Sequence, residues 1–292
     1  MTQTVLGLTA KEIQASFRRL TPERHPILNG LTPDEIYDGG SWMAPGGLLL
    51  ANLMAEQLSL KAGERVLDLG CGRGQSSVFL AAQYGAQVVS VDLWVGPAER
   101  KRRAVEASVG SQITPLQGDI GRGLPAEFEN FDAIFCMQSF HCFGTKVAVL
   151  RYLTSLLKPG GRICFAQGCF QQEPDGWPAV FTETDGWHVE YGNYHSPDWW
   201  RDHVESSGTL EVGVCKEVLD GDVLWEDDVL YRGNRAQWNE DFLRRSAWLI
   251  RQIAHGQTMA PLLTHCILCA AKHTRNVRPN ERYTTHQAPL YA

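Results

Sequence analysis

The stretch Val66-Leu67-Asp68-Leu69-Gly70-Cys71-Gly72-Arg73-Gly74 decides the fold of this 292-residue chain. Its first four residues read as a buried strand, three glycines then turn the chain, and Gln75–Tyr84 resumes a helical pattern. Glycine lets a backbone pass close to a ligand in conformations that other residues resist. A glycine-rich turn alone is weak evidence, so the spacing has to discriminate. A dinucleotide fingerprint wants a third glycine or alanine five residues after the first, and Gln75 stands there. A nicotinamide-dependent oxidoreductase is therefore disfavoured.

Outward from this turn, residues 64–168 alternate β-branched runs with helical ones. Strands are expected at Arg65–Leu69, Gln87–Val91, Ile113–Gln117, Phe131–Met137 and Gly161–Ala166. Most are nearly continuous apolar runs, as parallel strands covered on both faces require. This is the rhythm of an α/β, Rossmann-like, doubly wound sheet. Leu210–Val218 and Thr264–Ala271 read as two further strands, and Ala236–Ala254 as a helix.

Three segments depart from that rhythm. Residues 1–59 read as an N-terminal helical cap. Thr9 and Glu12 form a capping box there, Thr32-Pro33-Asp34 starts a short helix, and an apolar helix runs through Leu48–Leu58. Residues 169–195 lack a clear period and are long for a connection, which suggests a lid insertion within a main domain of residues 60–272. Ser196-Pro197-Asp198 then caps a helix to about Ser206. Residues 273–292 form a polar C-terminal arm that needs a docking surface to become ordered.

With these landmarks in order, the chain resembles the class I S-adenosylmethionine-dependent methyltransferases, closely over residues 45–168 and more loosely to the closing strands. VLDLGCGRG is similar to their first motif, Asp92 ends the second strand, and Asp119 of Gln117-Gly118-Asp119-Ile120 ends the third. Phe131-Asp132 opens the fourth strand, and Leu157-Lys158-Pro159-Gly160-Gly161 leads into the fifth. The resemblance implies a seven-stranded sheet with an antiparallel last strand, and S-adenosylmethionine as cofactor. It places Asp68, Gly70, Cys71, Gly72 and Gly74 in the cofactor loop, and has Asp92 accept hydrogen bonds from both ribose hydroxyls. Leu93 packs on adenine, with Trp94 beside it. Asp119 and Ile120 sit at the adenine edge, and Met137 and Gln138 at the end of the fourth strand. A capping role for Asp68 or Asp119 is the plainer alternative, and Cys71 reads as a small loop filler.

The acceptor is expected beyond the carboxyl ends of the strands. There His141, in Gln138-Ser139-Phe140-His141-Cys142-Phe143-Gly144, is a candidate general base or orienting donor. A histidine bonded to a neighbouring loop is the equal alternative. Trp187, Tyr191 and Tyr194 of the insertion, with Trp199, Trp200 and Trp42, supply aromatic faces, and Glu183, Asp185 and Glu190 add acids. Such a pocket suits a small amine or a thioether such as methionine, although the aromatics would equally hold a lid in place. Within the family the chain is similar to the small-molecule enzymes related to the ubiquinone/menaquinone and sterol methyltransferases. A relative that keeps the cofactor core but catalyses another S-adenosylmethionine reaction remains the alternative.

Composition sets the outer limits. With 43% hydrophobic and 21% charged residues the chain is an ordinary globular protein. A net charge of −6 argues against a nucleic-acid partner. No apolar run approaches a membrane span, and Met1–Gln14 does not read as a signal peptide. The expectation is a cytoplasmic protein with reduced thiols, acting on a small molecule without a metal; a homodimer is compatible with these features. Cys266 and Cys269 form a lone C-x-x-C, which reads as two positions of a buried strand rather than half of a zinc site.

Overall fold

The computed structural model describes residues 4–5, 7–176, 192–254 and 263–274. A small hairpin of β1 (Thr4–Val5) and β2 (Leu8–Thr9) precedes a seven-stranded sheet. Its strands are β3 (Arg65–Leu69), β4 (Gln87–Asp92), β5 (Ile113–Gln117), β6 (Phe131–Met137), β7 (Leu157–Phe170), β8 (Leu210–Glu217) and β9 (Leu263–Lys272). The spatial order is β5-β4-β3-β6-β7-β9-β8. Strands β3 to β7 pair in parallel, and β9 enters antiparallel between β7 and β8. The last strand is thus antiparallel, as expected. The order reverses between β3 and β6, which makes the crevice past their carboxyl ends the place where such sheets bind ligands.

Nine helices are described: α1 (Ala10–Ser16), α2 (Pro33–Ile36), α3 (Gly47–Leu58), α4 (Gln75–Tyr84), α5 (Pro97–Glu106), α6 (Val147–Ser155), α7 (Pro197–Ser206), α8 (Val223–Arg235) and α9 (Glu240–Ala254). The expected capping box at Thr9 forms, and the helix expected at Thr32 starts with a second one: the Thr9 and Thr32 hydroxyls accept from the Glu12 and Glu35 N–H groups, and each glutamate accepts from its threonine's N–H. On one sheet face Leu50 and Met54 of α3 and Leu80 of α4 pack on Val66, Phe135 and Ala166. On the other, Leu150 and Leu153 of α6 and Trp200 and Val204 of α7 pack on Leu67, Ile134 and Phe165. Removing each such side chain from water contributes about 1.5–3 kcal/mol, which is why the apolar runs were readable as strands.

The structure corrects the sequence reading at several points. Strand β7 extends at both ends beyond Gly161–Ala166, so Cys169 and Phe170 belong to the sheet and not to an insertion. Its extra length is matched by pairing with β9 as far as Phe170↔Leu263. Helix α8 was not foreseen: its acidic sequence hides a buried stripe of Val223, Leu224, Val229 and Leu230. The predicted helix Ala236–Ala254 begins at Glu240, after a turn through Gln237 and Trp238, both with positive φ. Trp200 is not an acceptor aromatic. It is fully buried, edge-on to Phe140 and Phe165, on the α6–α7 face. Trp199 stacks on His195 and His203 beside it. Cys266 and Cys269 are buried positions of β9, as expected. No described helix is long and apolar enough to cross a membrane.

Candidate functional site

Strand β3 delivers the chain to the reversal point, where Gly70, Gly72 and Gly74 take φ values of +68°, +53° and +88°. A Cβ on Gly70 would lie 2.4 Å from Ser139 Cβ, and one on Gly72 would lie 2.8 Å from the Met43 sulfur. The Ser139 hydroxyl, past the end of β6, donates to the Gly70 carbonyl at 2.9 Å. The glycine turn is thereby locked against the β6 crest at a distance no side chain would permit.

Asp68 lies below this turn, 1% exposed. One of its oxygens accepts from the Ser76 and Ser77 hydroxyls of α4 at 2.6 and 2.5 Å, and the other has no partner among the described residues. Burial pushes its pKa up to about 6, against the two hydroxyls, which lower it. Asp92 ends β4 beside the turn. Its Oδ2 accepts the Gly72 N–H at 2.8 Å, and its Oδ1 accepts the Trp94 and Val95 N–H groups at 2.9 and 2.8 Å. A carboxylate offers about four acceptor positions, so one good position remains, on Oδ2. The bidentate grip on two hydroxyls expected from sequence does not fit that count.

Next to Asp92, Leu93 and Trp94 are 47% and 70% exposed, an apolar surface beside an acid. Asp119 caps the turn that follows β5, accepting the Gly121 N–H at 2.8 Å, with Arg122 3.5 Å away. This is the capping bond of the plainer reading, made by one oxygen of the carboxylate. Ile120 is buried beneath it. At the end of β6, Met137 is half-buried. Gln138, at φ +55°, donates its N–H to the Ala166 carbonyl and its side-chain amide to the Pro45 carbonyl, 2.7 and 3.1 Å. The Cys71 thiol is buried, and burial raises its pKa well above the ordinary value, which suits a filler and not a nucleophile.

His141 is 8% exposed and edge-on to Tyr194, with ring centroids 5.1 Å apart. Burial depresses its pKa to about 4. The imidazole is therefore neutral at pH 7, and too weak a base to fill the poised near-neutral role expected for it. Its Nδ1 has no partner among the described residues. Trp42 is packed into the core while its neighbour Met43, 59% exposed, leans over Gly72. Trp187 and Tyr191 lie outside the described residues. The segment before α3 is tied down. Arg103 donates to Asp38 and Ser41, Arg232 to the Trp42 carbonyl, and a Cβ on Gly47 would meet the Ile36 oxygen at 2.6 Å.

Two contributors escaped the sequence reading. Ser139 was read only as part of a loop. Arg100 of α5 is 1% exposed, and its guanidinium donates to the Val95 and Leu116 carbonyls, tying the turn after β4 to strand β5. Nothing in Pro97–Glu106 separates Arg100 from its basic neighbours except a helical phase that places it inward.

These features suit an adenosyl ligand: an orphaned buried carboxylate oxygen, a free acceptor position on Asp92, and exposed apolar side chains flanking it. Residues 66–161 match the family model described as a methyltransferase domain. A 27-O-demethylrifamycin SV methyltransferase of Amycolatopsis mediterranei is 29% identical over 131 residues, 44% of this chain and 48% of its own. Phosphoethanolamine N-methyltransferase 1 of Arabidopsis thaliana is 26% identical over 186 residues, 60% of this chain and 35% of its own. A solved S-adenosylmethionine-dependent methyltransferase of Thiobacillus denitrificans, in complex with S-adenosylhomocysteine, superposes with a TM-score of 0.63. Its identity is 20%, covering 82% of this chain and 97% of that one. The chain spans about half the length, or less, of the curated relatives it matches. It has the fold and the glycine-turn core of the class I S-adenosylmethionine-dependent methyltransferases. A nicotinamide-binding sheet of the all-parallel 3-2-1-4-5-6 order lacks the antiparallel insertion of β9.

Proposed function

We propose that this chain binds S-adenosylmethionine at the crest past β3 and β4 and transfers its methyl group to a small-molecule acceptor. The observation that carries the reading is the bond from the Gly72 N–H to the Asp92 carboxylate, which joins the glycine turn and the strand-end acid at the reversal point. The cofactor, when bound, supplies an activated methyl group on a sulfonium. The chain has to hold it, exclude water and align the acceptor. In this reading Asp92 receives one ribose hydroxyl on Oδ2, and Leu93 with Trp94 covers the adenine. Asp119, Ile120, Met137 and Gln138 line the remainder of the cofactor site. Gly70, Cys71, Gly72 and Gly74 shape the loop, and Asp68 braces it through Ser76 and Ser77.

For the acceptor, a neutral His141 favours a nucleophile with no proton to lose, which supports a thioether, or an amine that enters the site as the free base. The amine has added support from the similarity to a phosphoethanolamine N-methyltransferase. His141 and Tyr194 then orient the acceptor. Calorimetry with S-adenosylmethionine and S-adenosylhomocysteine tests the cofactor reading, with micromolar dissociation constants expected. A panel of amines and thioethers, read by release of S-adenosylhomocysteine, tests the transfer. Absence of binding by either cofactor form would end the proposal.

A further inference from the structure

Beyond His141 and Tyr194, two residues that no sequence pattern marked stand at the same edge of the sheet. Because β9 runs antiparallel to β7, its first residues lie beside the carboxyl end of β7, and His265 pairs with Gly168. Two residues back along β7, Ala166 pairs with both Met137 and Ile267, so Gly168 and His265 share the sheet face of Met137. Gly168 makes room: a Cβ there would lie 2.8–3.0 Å from Cε2, Cζ and Oη of Tyr194, whose ring reaches His141. On the other side the His265 ring lies 5.0 Å from the Trp225 ring. Trp225 is in the first turn of α8, whose Leu224 lies close to Gly46, next to the Pro45 that receives Gln138. Tyr194 and His265 therefore flank Gly168, each carrying a second ring, His141 and Trp225 respectively, at the end of the sheet assigned above to the acceptor.

Their hydrogen-bonding state is specific. His265 is fully buried, and its Nδ1 lies against the Gly221 carbonyl, which fixes the proton on Nδ1 and leaves Nε2 an acceptor. Nε2 has no partner among the described residues, and neither does the buried indole N–H of Trp225. Burial, with His141 acting in the same sense, holds the His265 pKa down to about 4, so this lone pair is available at neutral pH. Buried polar groups nearly always have partners, and here an orphaned acceptor and an orphaned donor are carried on rings whose centroids are 5.0 Å apart.

We propose that His265 and Trp225 clamp a hydroxyl group of the acceptor, the imidazole Nε2 accepting its hydrogen and the indole N–H donating to its oxygen. A hydroxyl fits because it is neutral and both donates and accepts. A carboxylate would meet the Nε2 lone pair, and an ammonium would leave the indole N–H unmatched. The clamp rests on the proposed cofactor reading only for the position of the methyl group. It recognises the acceptor whichever atom is methylated.

The test uses the full chain with 15N-labelled tryptophan, saturated with S-adenosylhomocysteine, and two probes, phenol and its methyl ether anisole. Phenol donates and accepts; anisole only accepts. The Trp225 indole resonance, assigned with Trp225→Phe, is expected to move saturably with phenol, and anisole to bind at least about ten-fold more weakly. In His265→Phe, which keeps a ring and loses the lone pair, the preference should fall within about two-fold while S-adenosylhomocysteine affinity is unchanged. Equal affinity for the two probes in the wild type, or an unmoved Trp225 resonance, overturns the clamp without any need for the variant to fold. Failure to bind S-adenosylhomocysteine overturns the cofactor reading instead, and the probe titration without it still decides the clamp.

Discussion

The glycine crest and the seam between the N-terminal segment and α8 are built on opposite principles. At the crest the decisive contacts fix backbone groups: the Gly72, Trp94 and Val95 N–H groups donate to the Asp92 carboxylate, the Gln138 N–H to the Ala166 carbonyl, and the Ser139 hydroxyl to the Gly70 carbonyl, no pair more than 69 residues apart. At the seam they are charged and phenolic side chains some 190–208 residues apart. The Arg18 N–H and guanidinium both reach Glu226, and Arg24 makes two bonds of 2.6 Å to Asp220, which His25 also meets at 3.0 Å. Tyr37 donates to Asp227 and Tyr231 to Asp34, both at 2.7 Å, while the two rings stack at 4.6 Å. The crest depends on the absence of side chains, and the seam on their pairing. A backbone device tolerates almost no change in residue type, whereas a side-chain seam can be drawn in many ways, and only geometry shows which was used.

The sharpest way to break this contrast is Gly70→Ala. Left-handed φ and the 2.4 Å approach to Ser139 Cβ should together cost about 2–5 kcal/mol in unfolding experiments. Adding Ser139→Gly should recover the steric part and leave about 1–2 kcal/mol. No recovery in the double variant would mean that Ser139 is not what holds the turn close.

Acidity separates the regions next. His141 has a folded pKa of about 4, depressed from 6.5, so the unfolded chain takes up a proton between pH 6.5 and 4 that the folded chain refuses. Stability from this group is full above pH 6.5 and is lost as pH falls towards 4, roughly 3 kcal/mol in all. Asp68 acts in the opposite sense over its own window of about 3.8 to 6. At the seam, Arg24 holds the Asp220 pKa below 3.8, and that contribution is lost only below pH 3.8. His141→Gln should reduce the slope of the stability profile between pH 6.5 and 4, where the buried His203 and His265 continue to contribute, and leave the more acidic limb unchanged. An identical profile for both proteins would show that the imidazole protonates as freely when folded.

Glu226→Ala should remove about 2–3 kcal/mol of stability, since it strips acceptors from the Arg18 amide and guanidinium. S-adenosylhomocysteine affinity should stay within about two-fold if seam and crest are independent. Asp92→Ala should do the reverse, weakening cofactor binding by about 1.5–3 kcal/mol. A variant that binds as tightly as wild type would take Asp92 out of the site. The smallest effect is expected at the exposed i,i+4 pair Arg102–Glu106, 3.7 Å apart. Arg102→Ala should change stability by less than about 0.5 kcal/mol and serves as the baseline for the other variants.

Residues 64–166 were legible because each signal was local. A buried parallel strand is written as a run of apolar residues, and a turn with positive φ is written as glycine. Strands β3, β5 and β6 and helices α4 and α7 accordingly begin where their residues said they would. The capping boxes at Thr9 and Thr32 are equally local, three residues wide. Tertiary structure alone decided what depends on partners distant in sequence. It turned the acids of α8 into the anchor of Arg18, Leu20 and Tyr37, sent Trp200 into the core and not towards an acceptor, and spent three acceptor positions of Asp92 on loop N–H groups. It also set His265 beside Gly168 and Trp225. A side chain's type fixes what it can bond to, but burial and approach fix which bond it makes and which atom is left without one, and those are properties of the packed chain.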